Sequence, residues 1–279
     1  MTNKVMQLDI NVGIGDHLII RFFLDQIKNQ FDSIQITHSR AAMSHWRAND
    51  PKYWEFIYQL GDILFSESPY QLVKRPIYFP FWPSERFMSL GIKPARPNLP
   101  GMIVNHNLTA IPTEPYIVLT TKVREMKPEM FQSFIQEFTP IIQKLATKYT
   151  IVLMGEREVE KSKEYLVANN PTIIFSAYNA FKKLVPDAVD LTIPALGIQS
   201  SDIKQVQHDC YIMSKSKAVL TLGIGGNVWL SAISAPLTLC LRADSYQVPN
   251  LFEGTIPELY LTRNIKELCQ KLESLSDAV

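Results

Sequence analysis

Apolar positions along the chain switch between the two periods that mark strands and helices. Val5 to Val12 reads as a strand, and a helix is expected from about His17 to Phe31. Ile20, Phe23, Leu24, Ile27 and Phe31 keep the i, i+3, i+4, i+7 spacing of one face, while Arg21, Asp25 and Lys28 lie on another. Residues 34–38, IQITH, alternate as a second strand. Strand, helix and strand in close succession predict a βαβ unit and hence a parallel sheet.

Between Tyr53 and Gly91 the pattern weakens to a short helix, YWEFIYQL, an apolar ILF and the segment RPIYFPFWP at 75–83. Such aromatics either pack on a core or offer a sticky wall to an acceptor or a membrane surface. Pro94, Pro97, Pro100, Pro112 and Pro115 then crowd a stretch of little periodicity, as in a linker. The boundary is expected near 100–115, dividing an N-terminal domain, 1–110, from a C-terminal one, 111–279.

The alternation restarts after it. Residues 116–121 (YIVLTT), 150–154 (TIVLM), 172–177 (TIIFSA), 218–222 (AVLTL) and 237–241 (LTLCL) read as strands. A helix starting at Pro128-Glu129, with proline in its first turn, runs towards Lys148 with a break at Pro140. Helices are also expected near 157–168, 202–216 and 264–275. The predicted fold class is α/β, two Rossmann-like open parallel sheets facing across a cleft.

Composition narrows the function classes. The 279 residues include 28 Lys and Arg against 27 Asp and Glu, so no broad field points to nucleic acid or an anionic membrane. Cys210, Cys240 and Cys269 are odd in number and widely spaced, against a disulfide framework or structural zinc, and a reducing cytoplasm fits them. The start, MTNKVMQLDI, lacks the apolar core of a signal peptide, so export is not expected. Ala218 to Leu241 carries no charge and is long enough to cross a bilayer. Gly223, Gly225, Gly226, Asn227 and Pro236 divide it, which predicts a buried strand, turn, helix and strand instead.

The candidate chemistry sits at two glycine turns, because ligands of open parallel sheets bind beyond the carboxyl ends of the strands. In Gly13-Ile-Gly15-Asp16-His-Leu18, leucine stands where a dinucleotide fingerprint has its third glycine, and Asp16 would repel a pyrophosphate at the helix N-terminus. Asp16 therefore reads as an N-cap or as a general base, two roles that do not exclude each other. The second turn, Gly223-Ile-Gly225-Gly226-Asn227, has no acid and precedes a short helix, which suits a phosphate. TTKVREMK (120–127) and GERE (155–158) lie just past the first two strands of this half, so Lys122, Arg124 and Lys127 are candidates for a diphosphate. No Walker loop, nucleophile elbow or H-E-x-x-H metal site is present. The five histidines are scattered and read as structural, and no metal is expected.

These residues carry a resemblance. GIGDHLIIRFFLDQIK resembles the G-x-G-D-x-L-x-x-x-P-x-L-x-x-L-K opening of the lipopolysaccharide heptosyltransferases, glycosyltransferases of GT-B architecture. LTTKVREMKPEMFQSFIQEF resembles the start of that family's second domain. IKQVQHDCYIMSKSKAVLTLGIGGNVWLSAISAPLTLCL resembles its donor-loop region. The resemblance implies a transfer of sugar from a nucleotide diphosphate to a glycan or lipid-linked acceptor, with inversion. Asp16 would be the base, and Lys122, Arg124 or Lys127 would hold the donor phosphates. The nucleotide sugar is then a co-substrate and no further cofactor is implied. Two positions depart from the family: Ile224 and Trp229 replace an acid and a histidine, and only Gly226 and Leu230 of that motif are kept. A non-catalytic binding protein on the same fold, or another chemistry such as sugar-nucleotide epimerisation, is the alternative expectation.

Overall fold

A computed structural model describes residues 4–10, 14–38, 63–65, 87, 91–97, 111–159, 166–167, 170–171, 174–194, 203–243, 252 and 254–277. The aromatic segment 75–83 and residues 98–110, which hold part of the expected boundary, lie outside them.

Among the described residues two main sheets form, both parallel along their main path, beside one two-stranded antiparallel pair. In the first, β1 (Val5–Ile10) pairs with β2 (Ser33–His38), which pairs with β3 (Ile63–Phe65). Between β1 and β2 runs α1 (Ile14–Ile27), ending in a 3-10 turn (Lys28–Gln30). The expected βαβ unit is there, but α1 starts about a turn earlier than its pattern suggests. Asp16 is consequently its third residue rather than its N-cap, although a carboxylate in the first turn is still favoured by the helix dipole. The expected polar face is also corrected. Every residue from His17 to Leu24 is buried, Arg21 included, because α1 is covered by β1 and β2 on one side and by a helix of the second half on the other.

The second sheet contains β4 (Tyr116–Arg124), β5 (Thr150–Glu156), β9 (Val189–Ile193), β10 (Ala218–Leu222), β11 (Thr238–Leu241) and β12 (Leu259–Thr262). Their spatial order is β12-β11-β10-β4-β5-β9, every pairing parallel. Counted from β4, this is the doubly wound order 3-2-1-4-5-6, whose topological switch lies between β4 and β10. Near-continuous apolar strands such as YIVL and AVLTL suit a parallel sheet covered on both faces.

Helix α2 (Pro128–Ala146) passes through Pro140 without the expected break. Pro140 is exposed, while Phe131, Phe134, Phe138, Ile142 and Leu145 are buried on the other face; their burial outweighs one lost backbone hydrogen bond. Residues 166–167 are a strand, β6, paired with β7 (Asn170–Pro171), so the charged helix expected near 157–168 does not extend there. That stretch has no apolar stripe to hold a helix on the sheet. β8 (Ile174–Ser176) runs antiparallel against the end of β4 instead of continuing the parallel series. The short α3 (Tyr178–Leu184), β9 and β12 were not foreseen from the pattern. Helices α4 (Ile203–Lys215), α5 (Gly226–Ser234) and α6 (Ile265–Asp277) complete the half. Ala218 to Leu241 folds as β10, turn, α5 and β11, and among the described residues no helix is long and apolar enough to cross a membrane.

At the switch, Gly223 brings β10 and β4 into backbone contact. Its φ is 82°, and a Cβ there would come within 1.9 Å of the Arg124 carbonyl oxygen. Gly254 also has a left-handed φ, 70°, but open space around it. Gly254→Ala should therefore cost only the conformational strain, about 1 kcal/mol, whereas Gly223→Ala adds a backbone collision and should cost several-fold more in denaturant unfolding. Equal losses for the two variants would contradict the close approach.

Burial also sets an alkaline limit. It pushes the Cys210 thiol up to about 12, the Cys269 thiol to about 11 and the Tyr116 hydroxyl to about 12. In the unfolded chain a thiol ionises near pH 8.5 and a tyrosine near pH 10, so between these values and the folded ones the native state binds more protons. Stability is full below about pH 8 and should fall progressively above it, read as a lower denaturant midpoint at pH 10 than at pH 7.5. A midpoint that does not move would argue against buried, protonated thiols.

Candidate functional site

The site is built at the carboxyl ends of β4 and β10. β4 is longer than expected because β8 pairs with Lys122, Val123 and Arg124, so Lys122 and Arg124 stand on the strand and not on a loop past it. The pairing with β10 slips between Leu220 and Leu222, an irregularity that places extra β4 residues beside the turn.

The basic candidates separate. Lys122 Nζ lies 3.0 Å from Glu156 Oε1 in a half-buried ion pair, holding together the ends of adjacent strands. Arg124 extends along the second glycine turn: its Cδ and Nη1 are 3.4 and 3.5 Å from where a Cβ on Gly225 would sit. Among the described residues its carboxylate partner is Glu125, at 3.9 Å. Glu125 itself has a φ of 58°, a costly state for a residue with a side chain, where the chain leaves β4. Lys127 is exposed and caps α2 through its extended backbone, with Pro128 as the first helical residue. Arg157, of the GERE segment, is engaged elsewhere: Nε donates to Thr192 Oγ1 (2.8 Å), and Nη2 pairs with Asp190 Oδ2 (3.0 Å).

Within the turn, each glycine has a different task. Gly223 makes the backbone approach just described. Gly225 is the N-cap of α5 in an extended conformation, and its lack of a side chain leaves room for the Arg124 side chain. α5 has no side-chain cap and no acid in its first turn. The amides of Gly226 and Asn227 thus belong to the set that a helix cannot satisfy internally, at the positive end of its dipole.

The first glycine turn meets the second. A Cβ on Gly15 would lie 3.4 Å from Gly226 N, 3.5 Å from Gly226 Cα and 3.5 Å from Trp229 Cδ1. The N-terminal turns of α1 and α5 are in contact, which places the backbone of Asp16 next to the α5 terminus and Arg124 on that terminus as well. The Asp16 side chain is outside the described residues. This contact could not be read from the sequence, which holds Gly15 and Gly226 more than 200 positions apart. Two positive helix ends and a guanidinium at one place are an arrangement that binds anions.

Ile224 and Trp229 are both buried, and the Trp229 ring packs against Phe252 (centroids 4.8 Å) and Phe22 (6.2 Å). They therefore build the interface, and neither carries the acid or imidazole that the resembled motif has there. His17 is buried inside α1, and His208 lies beside Asp209 on α4. Among the described residues no group of three His, Cys, Asp or Glu could hold a metal ion.

No protein-family model and no curated protein matches the chain. Among solved structures, it is similar to the dodecameric iron-containing heptosyltransferase TibC in complex with ADP-D-beta-D-heptose, at 14% identity and a TM-score of 0.47 over 92% of this chain. The chain spans only 62% of the length of TibC, which comes from enterotoxigenic E. coli. It is also similar to the E. coli heptosyltransferase WaaC with ADP, at 13% identity and a TM-score of 0.48, over 98% of this chain and 99% of that one. A glycosyl transferase family 9 protein from Veillonella parvula aligns at 10% identity and a TM-score of 0.41, over 97% of this chain and 93% of that one. The solved structures that the chain is similar to thus include heptosyltransferases, the family that its motifs resemble.

Proposed function

We propose that the chain is an inverting glycosyltransferase of GT-B type that uses a nucleotide-diphosphate sugar. In this reading residues 111–279 form the donor side and residues 1–110 the acceptor side. The observation that carries it is the meeting of the acid-free α5 terminus, the Arg124 guanidinium and the first turn of α1 at the topological switch of a doubly wound sheet.

The donor diphosphate would lie on the amides of Gly226 and Asn227 with Arg124 beside it, and Lys127 within reach of the same end of β4. Asp16 would take the proton of the acceptor hydroxyl as its oxygen attacks the anomeric carbon. The bond from that carbon to the diphosphate breaks on the opposite face, so configuration inverts. The charge that develops on the leaving diphosphate is what the helix dipole and guanidinium stabilise. A glycan or a lipid-linked hydroxyl would serve as acceptor, and the buried cysteines Cys210, Cys240 and Cys269, which form no disulfide, fit a cytoplasmic setting.

One observation favours a second reading. Ile224 and Trp229 fill, with apolar packing, two positions where the resembled family carries polar residues, as a binding protein without catalysis would tolerate.

Thermal shift with ADP, UDP and GDP and their sugars tests the donor site first, since a ligand of the native state must raise the melting temperature. Arg124→Ala should weaken the nucleotide that binds by about 10- to 100-fold, the worth of a charge-assisted hydrogen bond. Lys122→Ala should leave affinity nearly unchanged and lower stability, because its partner Glu156 stays behind buried. If no nucleotide shifts the parent, or if Arg124→Ala binds like the parent, the donor site is wrong.

With donor and acceptor in hand, Asp16→Asn separates catalysis from binding. The variant should keep its nucleotide affinity, melt within about 1 kcal/mol of the parent, and lose about 10²-fold or more in transfer rate. Parental turnover would remove Asp16 as the base. Nucleotide binding with no transfer by the parent to any acceptor would favour the binding protein.

A further inference from the structure

We infer that the two halves do not open against one another: α1 and α5 share one permanent core, closed by a strap formed by residues 91–97. Interfaces between domains of one chain allow relative motion by default, unless they are large and apolar. Here the interface is a core. Phe22, Phe23, Leu24 and Ile27 of α1 are completely buried in one cluster with Val228, Trp229 and Ile233 of α5, Phe252 and Leu259. Phe22, Trp229 and Phe252 interlock, with ring centroids 4.8 to 6.2 Å apart. Separating α1 from α5 would expose these aromatics to water, against the burial that drives folding.

The strap corrects the expected linker. Pro94 and Pro97, read from the sequence as part of a free connection, are buried. The Ala95 N–H donates to the Phe22 carbonyl (2.8 Å) in the middle of α1, and Arg96 Nε donates to the Ile233 carbonyl (3.0 Å) in the last turn of α5. Consecutive residues thus bond to both helices across the seam, and Arg96 places a cation at the carboxyl end of α5, where the dipole favours it. Ile92 packs on the same cluster. The gap between the N-termini of α1 and α5, in contact at Gly15 and Gly226, is accordingly set by the fold and not by a ligand. Any ligand of the Arg124 and Gly225 surface must enter without parting the two helices.

The test needs no ligand, so it stands or falls apart from the proposed chemistry. Calorimetry of the whole chain should give one transition with equal calorimetric and van't Hoff enthalpies. Trp229→Ala should move that entire transition down by roughly 6–20 °C, and the milder Arg96→Ala by about 2–4 °C, neither splitting it. Native-state hydrogen exchange should show the amides of residues 18–24 and 228–234 opening only with global unfolding. Two resolved transitions, a variant that shifts one half alone, or joint exchange of those two segments by an opening below the global one would each overturn the inference.

Discussion

The packing of α1 against α5, with Gly15 beside Gly226 at one end and interlocked aromatic rings behind it, joins the two halves of this molecule. A Cβ on Gly15 would already be in van der Waals contact with the backbone of α5 and with Trp229, so the two helix ends lie side by side. With that contact made, the aromatic rings behind it close into one core, α1 loses its polar face, and two positive helix ends come to the same point. Electrostatics and packing are therefore coupled. The apolar seam flanks the place where these helix ends and Arg124 come together, and charge interactions are stronger where water is excluded.

The second sheet supplies the other constraint. Parallel strands leave amides and side chains at their carboxyl ends, and the reversal of winding between β4 and β10 opens a crevice there. Gly223 lets the β10 turn lie on the Arg124 carbonyl, and the strained Glu125 marks where the chain turns away into α2. A residue on β4 can thus reach the terminus of a helix that begins about a hundred residues later. Lys122, two positions earlier on the same strand, is held by Glu156 instead and ties β4 to β5. Two positions apart, the two cations share a face of the strand, and it is their different neighbours, Glu156 on β5 and the glycine turn after β10, that give them different environments, which their common charge in the sequence does not reveal.

Much of the architecture was legible because long, regular patterns leave little choice. The apolar runs of β4, β5, β10 and β11 and the spaced apolar residues of α4 and α6 lead to elements where expected. The failures have physical causes. Short elements with mixed polarity, such as VDLTI and LYLT, carry too few positions for a period to show. Pro140 did not end α2, because five buried apolar residues on the far face hold the helix through it. Arg21 shares the second face of the helical pattern with Asp25 and Lys28 yet is buried; one helix in isolation has no record of what will cover its second side.

What the sequence determined by itself was the class of fold, the two glycine turns, the absence of acid in the second, and the set of charges able to serve an anion. Local spacing is enough for those, since periodicity, turn chemistry and helix-end preferences act over a few residues. Only the tertiary structure decided which of those charges reach the turn. It brought Arg124 to Gly225, committed Lys122 to Glu156, made Trp229 part of a seam, and turned an apparent linker into a strap. Each of these depends on which surfaces meet between elements far apart in the chain, by 34 residues for Lys122 and Glu156 and by 137 for Arg96 and Ile233, and burial of apolar area, which is not directional, selects that meeting only once both surfaces exist.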